Sequence, residues 1–347
     1  MRKSIKNPIS VSIIGGSGYT GAELMRIVSR HPYFKLVQVI ANRNAGRKIQ
    51  DIFPHLRHLN LPDFISFEKM IFENIDLIFC ALPHAKSQEI IVKIPEGIKI
   101  IDLSADFRLE RVEEYERWYG QKHVAPSLQE KSVYGLTEIY KEKIKEGSLI
   151  ACTGCNSAAT LYPVLPLLKE GIINDDNLIV NLGAGVSGAG RDAKQNIIHA
   201  EVSEGVKPYK IGKHRHIAEL EQEFKKATSK KIDITFIPHL LPQNRGVIVS
   251  IPLSLPASLI HKTLEKFYKN SPFIIVLPIE EIPATQHVRG SNFCHIGVVS
   301  DHNKDKCVVI SVLDNLIKGS AGQAVQNANI MFDFDETSGL LESPIFP

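Results

Sequence analysis

The chain is short of several things, and each shortage removes a class of protein. Its five cysteines, Cys80, Cys152, Cys155, Cys294 and Cys307, are an odd, sparse set that does not make a disulfide framework. They fit thiols kept reduced in a cytoplasm. Cys152 and Cys155 form a C-x-x-C, but no second such pair exists, so a zinc site is not expected and no metal is predicted. No apolar run approaches the ~18 residues of a membrane span. No block of like charges occurs, and 41 basic against 38 acidic residues leave a formal net charge of +3. Nucleic acid and membrane are therefore not expected partners. The basic opening, Met1 to Pro8, is not followed by the apolar core and small-residue cleavage site of a signal peptide, so a cytoplasmic location is expected. Internal repeats and low-complexity tracts are absent too. What remains is ordinary globular material, 44% hydrophobic and 23% charged over 347 residues, which predicts two domains.

The first half reads as α/β. Ile9–Ile14 has the character of a buried strand, and Gly15-Gly-Ser-Gly-Tyr-Thr-Gly21 follows it. Leu24, Ile27 and Val28 then share one helical face, His31-Pro32 closes that helix, and residues 35–41 make a second strand. Gly16, Gly18 and Gly21 fit G-x-G-x-x-G, and Gly15, Gly18 and Gly21 fit a neighbouring spacing, inside the strand–turn–helix context that a dinucleotide fingerprint requires. Ser17, Tyr19 and Thr20 complete that turn. Residues 76–82 and 98–103 add strands of a parallel, doubly wound sheet. An NAD site usually has an acidic residue about 20 positions on for the ribose 2′-hydroxyl. Here no Asp or Glu lies between Glu23 and Asp51, and Arg43, Arg47 and Lys48 stand there instead, so NADP(H) is expected, with Arg43 at its 2′-phosphate. After residue 155, six apolar runs with few helices between them (178–182, 233–237, 246–251, 273–277, 295–299 and 307–312) predict an α+β domain with a largely antiparallel sheet. Residues 319–330 read as a final helix.

The chemistry centres on Ala151-Cys-Thr-Gly-Cys-Asn-Ser-Ala-Ala-Thr160. Cys155 stands where a turn hands over to a helical stretch bearing Leu161, Leu165 and Leu168, although Pro163 and Pro166 are expected to kink or interrupt it. Helix-start N–H groups favour an anion, and a thiolate is one. A thiol nucleophile needs an acid/base partner. His214-Arg-His216, in a basic stretch ahead of a Glu- and Leu-rich helix, supplies His214 as first choice and His216 as second. Tyr209 and Lys213 spell Y-x-x-x-K, but Pro208 and Gly212 exclude the helix that such a pair needs. Arg108 and Arg245 are candidates for a phosphate or carboxylate, since guanidinium forks match both.

Taken in order, the glycine turn, Leu82-Pro-His84, Asp102 to Arg108, Tyr134-Gly-Leu136, Ser187 to Lys194, His214-Arg-His216, Arg245-Gly246, Gly290-Ser-Asn292 and Asp314 to Gln326 resemble the N-acetyl-gamma-glutamyl-phosphate reductase family of arginine biosynthesis, within the semialdehyde dehydrogenase superfamily. The resemblance covers nearly the whole chain. It implies an NADP-binding Rossmann domain over 8–154, completed by 317–347, and a catalytic and dimerisation domain over 155–316. It also implies a homodimer or homotetramer, and an acyl phosphate reduced through a Cys155 thioester with release of inorganic phosphate. By the same resemblance Ser187, Gly188 and Asn315 belong to the cofactor site. One departure stands out: the family usually reads Pro-Gly-Cys-Tyr-Pro-Thr-Ala, and this chain reads Thr153-Gly-Cys-Asn-Ser-Ala-Ala159. That places Asn156 among the substrate-binding candidates. A Cys-Asn version resembles the reductase of aminoadipate-type lysine synthesis, whose substrate rides on a carrier protein. Aspartate-semialdehyde dehydrogenase shares the chemistry on another acyl phosphate. A catalytically silent NADP-binding redox sensor using Cys152 and Cys155 is the alternative from outside enzymology.

Overall fold

The apolar runs of the first 150 residues pair into one parallel sheet. In the computed structural model, which describes residues 8–173 and 177–346, the strands are β1 (Ile9–Ile14), β2 (Phe34–Ile40), β3 (Phe64–Ile65), β4 (Leu77–Cys80), β5 (Lys99–Asp102), β6 (Val133–Gly135) and β7 (Leu149–Cys152). Their order is β3-β2-β1-β4-β5-β7-β6, and every neighbouring pair is parallel. β4 and β7 are buried at all four positions, which is why they read as unbroken apolar runs rather than alternating ones. Chain direction across the sheet reverses between β1 and β4, the kind of switch point at whose carboxyl edge doubly wound sheets bind ligands.

This first unit comprises residues 1–153 and 320–341. Its C-terminal helix, Gly322–Met331, is buried at every position. Polar side chains on it are paired: Asn327 Nδ2 donates to Gly135 O at 3.1 Å, and its Oδ1 accepts from Thr137 Oγ1 at 2.6 Å. Residues 319–321, expected as the start of that helix, instead belong to a π-helical turn, Ile317–Ala321.

The second unit comprises residues 154–319 and 342–347. Its strands are β8 (Asn177–Gly185), β9 (Lys207–Pro208), β10 (Asp233–Leu241), β11 (Val247–Leu253), β12 (Ile274–Val276), β13 (Cys294–Ser300) and β14 (Cys307–Leu313), in the order β12-β13-β14-β11-β8-β10-β9. Only β8–β10 and β12–β13 are parallel; the other four pairs are antiparallel. Helices Cys155–Lys169, His216–Thr228 and Ala257–Tyr268 pack on this sheet. One face is left open: along β8, Leu178, Val180 and Leu182 are buried while Asn177, Ile179 and Asn181 are exposed.

The Cys155–Lys169 helix corrects one expectation. It runs uninterrupted through Pro163 and Pro166. A proline frees the carbonyl four residues earlier. For Pro166 that carbonyl belongs to Tyr162, and Tyr268 Oη donates to it at 2.6 Å. The break in the backbone ladder is thus repaired by a side chain from the Ala257–Tyr268 helix.

Candidate active site

The glycine turn after β1 is built by packing at three of its four glycines. Gly15 has φ +86°, and a Cβ there would lie 2.4 Å from Ala81 O. At Gly16 it would lie 2.2 Å from Val39 Cγ1, and at Gly21 2.7 Å from Gly16 Cα. These glycines let β1, β2, β4 and the following helix approach one another. Gly18 differs: a Cβ there would meet nothing nearer than Gly15 O at 3.9 Å. It immediately precedes the Tyr19–Val28 helix, whose start has no side-chain cap and no acidic residue in its first turn. The space at Gly18 therefore fits a diphosphate resting on helix-start N–H groups. Arg43 lies exposed in a short turn, Asn42–Asn44, just past β2, and Arg47 follows it with Nη1 3.4 Å from Asn44 Oδ1. Glu23, the acidic residue before this stretch, is buried and paired with Arg26 at 2.8 Å.

In the second unit Cys155 is the first residue of its helix, after Gly154. It is the one cysteine of the five that is not fully buried. Its Sγ faces Asn156 Oδ1 at 3.4 Å, and Asn156 Nδ2 faces Tyr209 Oη at 3.5 Å. The backbone N–H of Gly154 donates to Glu219 Oε2 at 3.3 Å, and Glu219 Oε1 lies 3.8 Å from His216 Nε2. Glu219 is wholly buried. Three residues apart at the start of one helix, His216 and Glu219 share a face. His214 sits edge-on to Tyr209 and His216, with ring centroids 5.5 and 4.7 Å away. Its Nδ1 accepts the His216 backbone N–H at 3.2 Å, which places the ring proton on Nε2. Burial, reinforced by His216 and Lys210, pulls its pKa down to about 3, so this imidazole is neutral.

The segment after β14 closes around the same cysteine. Asp314, fully buried, accepts the N–H groups of Leu316 (2.8 Å), Ile317 (3.1 Å) and Gly290 (2.7 Å) and lies 3.5 Å from Arg245 Nη1. Its backbone carbonyl takes the Gly319 N–H at 2.9 Å, the five-residue bond of the π turn. That turn brings Gly319 so close to Cys155 that a Cβ would lie 2.6 Å from the cysteine Cβ. Beside it, Asn315 donates to Ser187 Oγ (2.9 Å) and accepts from the N–H of Gly246 (2.9 Å), while Gly188 packs against the same amide.

Residues 10–147 match the NAD binding domain of the semialdehyde dehydrogenases, and residues 155–315 match the semialdehyde dehydrogenase dimerisation domain. The chain is 50% identical over 339 residues to N-acetyl-gamma-glutamyl-phosphate reductase of Roseobacter denitrificans, covering 97% of this chain and 99% of that one. The corresponding protein of Rhodobacter capsulatus is 48% identical over 338 residues, with the same coverage. The chain belongs to the N-acetyl-gamma-glutamyl-phosphate reductase family. In fold, this family member is similar to aspartate semialdehyde dehydrogenase II of Vibrio cholerae, with a TM-score of 0.72 at 16% identity over 94% of this chain and 99% of that one.

Within this N-acetyl-gamma-glutamyl-phosphate reductase family member, Cys155, Asn156, His214 and His216 come together in one unit, as do Ser187, Gly188, Asn315 and Arg245 in their own network. Arg108 is placed differently. It is 6% exposed, and it donates from Nε to Cys152 O at 2.6 Å and from Nη2 to Leu103 O at 3.1 Å. Its guanidinium ties the carboxyl ends of β5 and β7 together. Sequence reasoning missed Glu219, and it marked Asp314 and Gly319 as motif positions without placing them at the thiol. Only Glu219 carried a local signal, its three-residue spacing from His216. Among the described residues there is no cluster fit for a metal ion, and no helix is long and apolar enough to cross a membrane.

Proposed function

We propose that this chain catalyses the NADPH-dependent reduction of N-acetyl-L-glutamyl 5-phosphate to N-acetyl-L-glutamate 5-semialdehyde, with release of phosphate, in arginine biosynthesis. The observation that carries the chemistry is the half-exposed Cys155 at the start of a helix, with Glu219 bridging the Gly154 N–H to His216.

The Cys155 thiolate attacks the acyl carbonyl; the carbon–sulfur bond forms, the bond to the phosphate oxygen breaks, and a thioester remains on the enzyme. The helix-start N–H groups favour the thiolate and lie near the developing oxyanion. NADPH, when bound, would supply a hydride to the thioester carbon; the resulting thiohemiacetal then collapses, its O–H proton leaving as the carbon–sulfur bond breaks, which frees the semialdehyde and restores the Cys155 thiolate. His216 is the acid/base group: it takes the thiol proton before attack and supplies one to the carbonyl oxygen afterwards, and its imidazolium is balanced by buried Glu219. The order of preference between the two histidines thus reverses. His214, held neutral by burial, is an N–H donor and a wall for Tyr209. Arg245 is the proposed ligand for a substrate anion, and Arg108 fixes the end of β7 two residues before the second unit begins. Gly15 to Gly21 seat the cofactor diphosphate, and Arg43 favours NADPH over NADH. Cys152 is 1% exposed and in contact with Asn327, which suits a packed thiol better than a redox partner. We further propose a cytoplasmic homodimer or homotetramer that uses the open face of the second sheet.

The test is the reverse reaction, with N-acetylglutamate semialdehyde, inorganic phosphate and NADP, followed at the NADPH absorbance. Phosphate-dependent turnover that vanishes in Cys155→Ala is expected, with a lower KM for NADP than for NAD. A Cys155→Ala protein that keeps turning over refutes the covalent route. No turnover in the folded wild type, but activity on an aminoadipyl carrier-protein substrate, refutes the substrate.

A further inference from the structure

Asn156 and Tyr209 stand where no part of the mechanism above uses them. Tyr209 is fixed on three sides: its N–H donates to Pro238 O at 2.9 Å, its ring edge meets His214, and its hydroxyl faces Asn156 Nδ2 at 3.5 Å. Asn156 is 3% exposed, and its other amide atom, Oδ1, faces Cys155 Sγ at 3.4 Å. One buried amide thus spans the thiol and the phenol.

We propose that Asn156 and Tyr209 form a reversible relay that follows the charge of Cys155, which makes Tyr209 a positioning residue for the nucleophile. In the resting thiol the S–H donates to Asn156 Oδ1, and Asn156 Nδ2 donates to Tyr209 Oη. A thiolate has no proton to give and needs a donor. A half-turn of the amide presents Nδ2 to sulfur and Oδ1 to the phenol. Only a hydroxyl satisfies both settings, because it both donates and accepts. The two settings are not equal in strength. The bond from Nδ2 to a thiolate is charge-assisted, and a phenol donating to Oδ1 polarises the amide further. The hydroxyl therefore favours the thiolate. Where the family usually has tyrosine after its cysteine, this chain has an amide, and Tyr209 makes that amide work. Burial and the nearby sulfur hold the Tyr209 hydroxyl protonated, as a donor must be.

The ionisable groups on the elements around this corner are His216 and Glu219 on one helix, Lys210, His214 and Arg215 ahead of it, and Asp314 and Lys318 after β14. Lys318 is directed into a cage of Tyr162 and Phe273, with Nζ 5.2 and 5.5 Å from their ring centres. None of these changes in the test.

The inference rests on Cys155 as nucleophile, and the test separates the two. Alkylation of Cys155 by iodoacetamide, quantified on its own peptide by mass spectrometry across pH, reads the thiolate fraction without turnover. Tyr209→Phe keeps the ring and removes the hydroxyl. Its alkylation rate at pH 7 should fall by about three- to tenfold, the worth of one hydrogen bond, with the high-pH plateau unchanged. Asn156→Ala should fall similarly, and adding Tyr209→Phe to it should change the rate by less than about twofold, since coupled residues are not additive. The acid limb of kcat/KM should move to higher pH with Tyr209→Phe. A wild-type alkylation profile in Tyr209→Phe, even with a lowered melting temperature, overturns the relay. So does an equal effect of Tyr209→Phe with and without Asn156. Failure of the nucleophile reading shows separately, as turnover in Cys155→Ala.

Discussion

Substituting the glycines of the first turn one at a time separates folding from binding. At Gly16 an added methyl would sit 2.2 Å from Val39 Cγ1, on β2, which pairs with β1 on one side and β3 on the other. Overpacking of that kind costs about 1–3 kcal/mol. For a unit of this size each kcal/mol lowers the melting temperature by roughly 2–4 °C, so Gly16→Ala should melt on the order of 2–12 °C lower. At Gly18 the nearest atom is 3.9 Å away and the backbone, φ −85° and ψ 173°, is open to any residue. Alanine there gains about 0.4–1 kcal/mol from a stiffer unfolded chain. It loses a similar amount as a poorer residue ahead of a helix. Gly18→Ala should therefore melt within a few degrees of wild type. Its methyl would nonetheless occupy the space assigned to the diphosphate. Loss of one close backbone contact to an anion is worth about 1.5–3 kcal/mol, which raises KM for NADPH by about ten- to a hundredfold. The assays are thermal unfolding without ligand and a NADPH titration of the initial rate. A Gly18→Ala enzyme with wild-type KM for NADPH would show that the gap at Gly18 is not the diphosphate seat.

Two further perturbations test particular contacts. Tyr268→Phe strips the donor from Tyr162 O, the carbonyl freed by Pro166, and should cost about 1–3 kcal/mol in denaturant unfolding with little change in KM, whereas an unchanged midpoint would mean the freed carbonyl needs no partner. His31 is buried beside Phe34 (ring centroids 3.9 Å), and burial lowers its pKa from 6.5 to about 4. Because the unfolded chain binds that proton first, stability contributed by neutral His31 is present above pH 6.5 and is lost as pH falls toward 4. His31→Asn, whose Oδ1 replaces the acceptor for the Tyr33 N–H, should flatten the dependence of unfolding midpoint on pH across that window; an unaltered slope would exclude His31 as its source.

How much was legible in the sequence depended on whether the deciding interaction was local. β1, the glycine turn and the following helix announce themselves because a buried parallel strand, a left-handed glycine and an amphipathic helix are each written in consecutive residues. Cys155 at a helix start and His216 at another are legible for the same reason. β3, β6 and β9, with two or three residues each, fall below what periodicity can register. Pro166 in the Cys155–Lys169 helix misled because Tyr268, the partner of the carbonyl it frees, is 106 residues from Tyr162. The fingerprint glycines were read alike, yet three answer to neighbouring strands and backbone and only Gly18 leaves a gap. The proposed preference for His216 over His214 rests on burial and on Glu219, and a three-residue motif carries neither.

Gly319 shows how strictly the second unit positions its thiol. The π turn Ile317–Ala321 has one more residue per turn than an α-helix would spend, and that extra residue presses residue 319 onto Cys155. Asp314 holds the turn through its carboxylate and its carbonyl, so the turn cannot simply retreat. A methyl at 319 would stand 2.6 Å from Cys155 Cβ, 3.1 Å from its Cα and 3.1 Å from Leu313 Cδ1. Neither cysteine atom is the free end of a flexible chain, so the first turn of the helix must shift by a large part of an ångström. A displacement of that order at a reacting atom costs about a hundredfold in rate. Gly319→Ala should accordingly lose about two orders of magnitude in kcat/KM for the acyl phosphate, while NADPH binding measured by fluorescence stays near wild type because the glycine turn after β1 is untouched. Melting should fall by only the few degrees that overpacking of about 1–3 kcal/mol brings. A Gly319→Ala enzyme with wild-type kcat/KM would mean that the position of Cys155 is not set by this contact, and that the π turn serves packing alone.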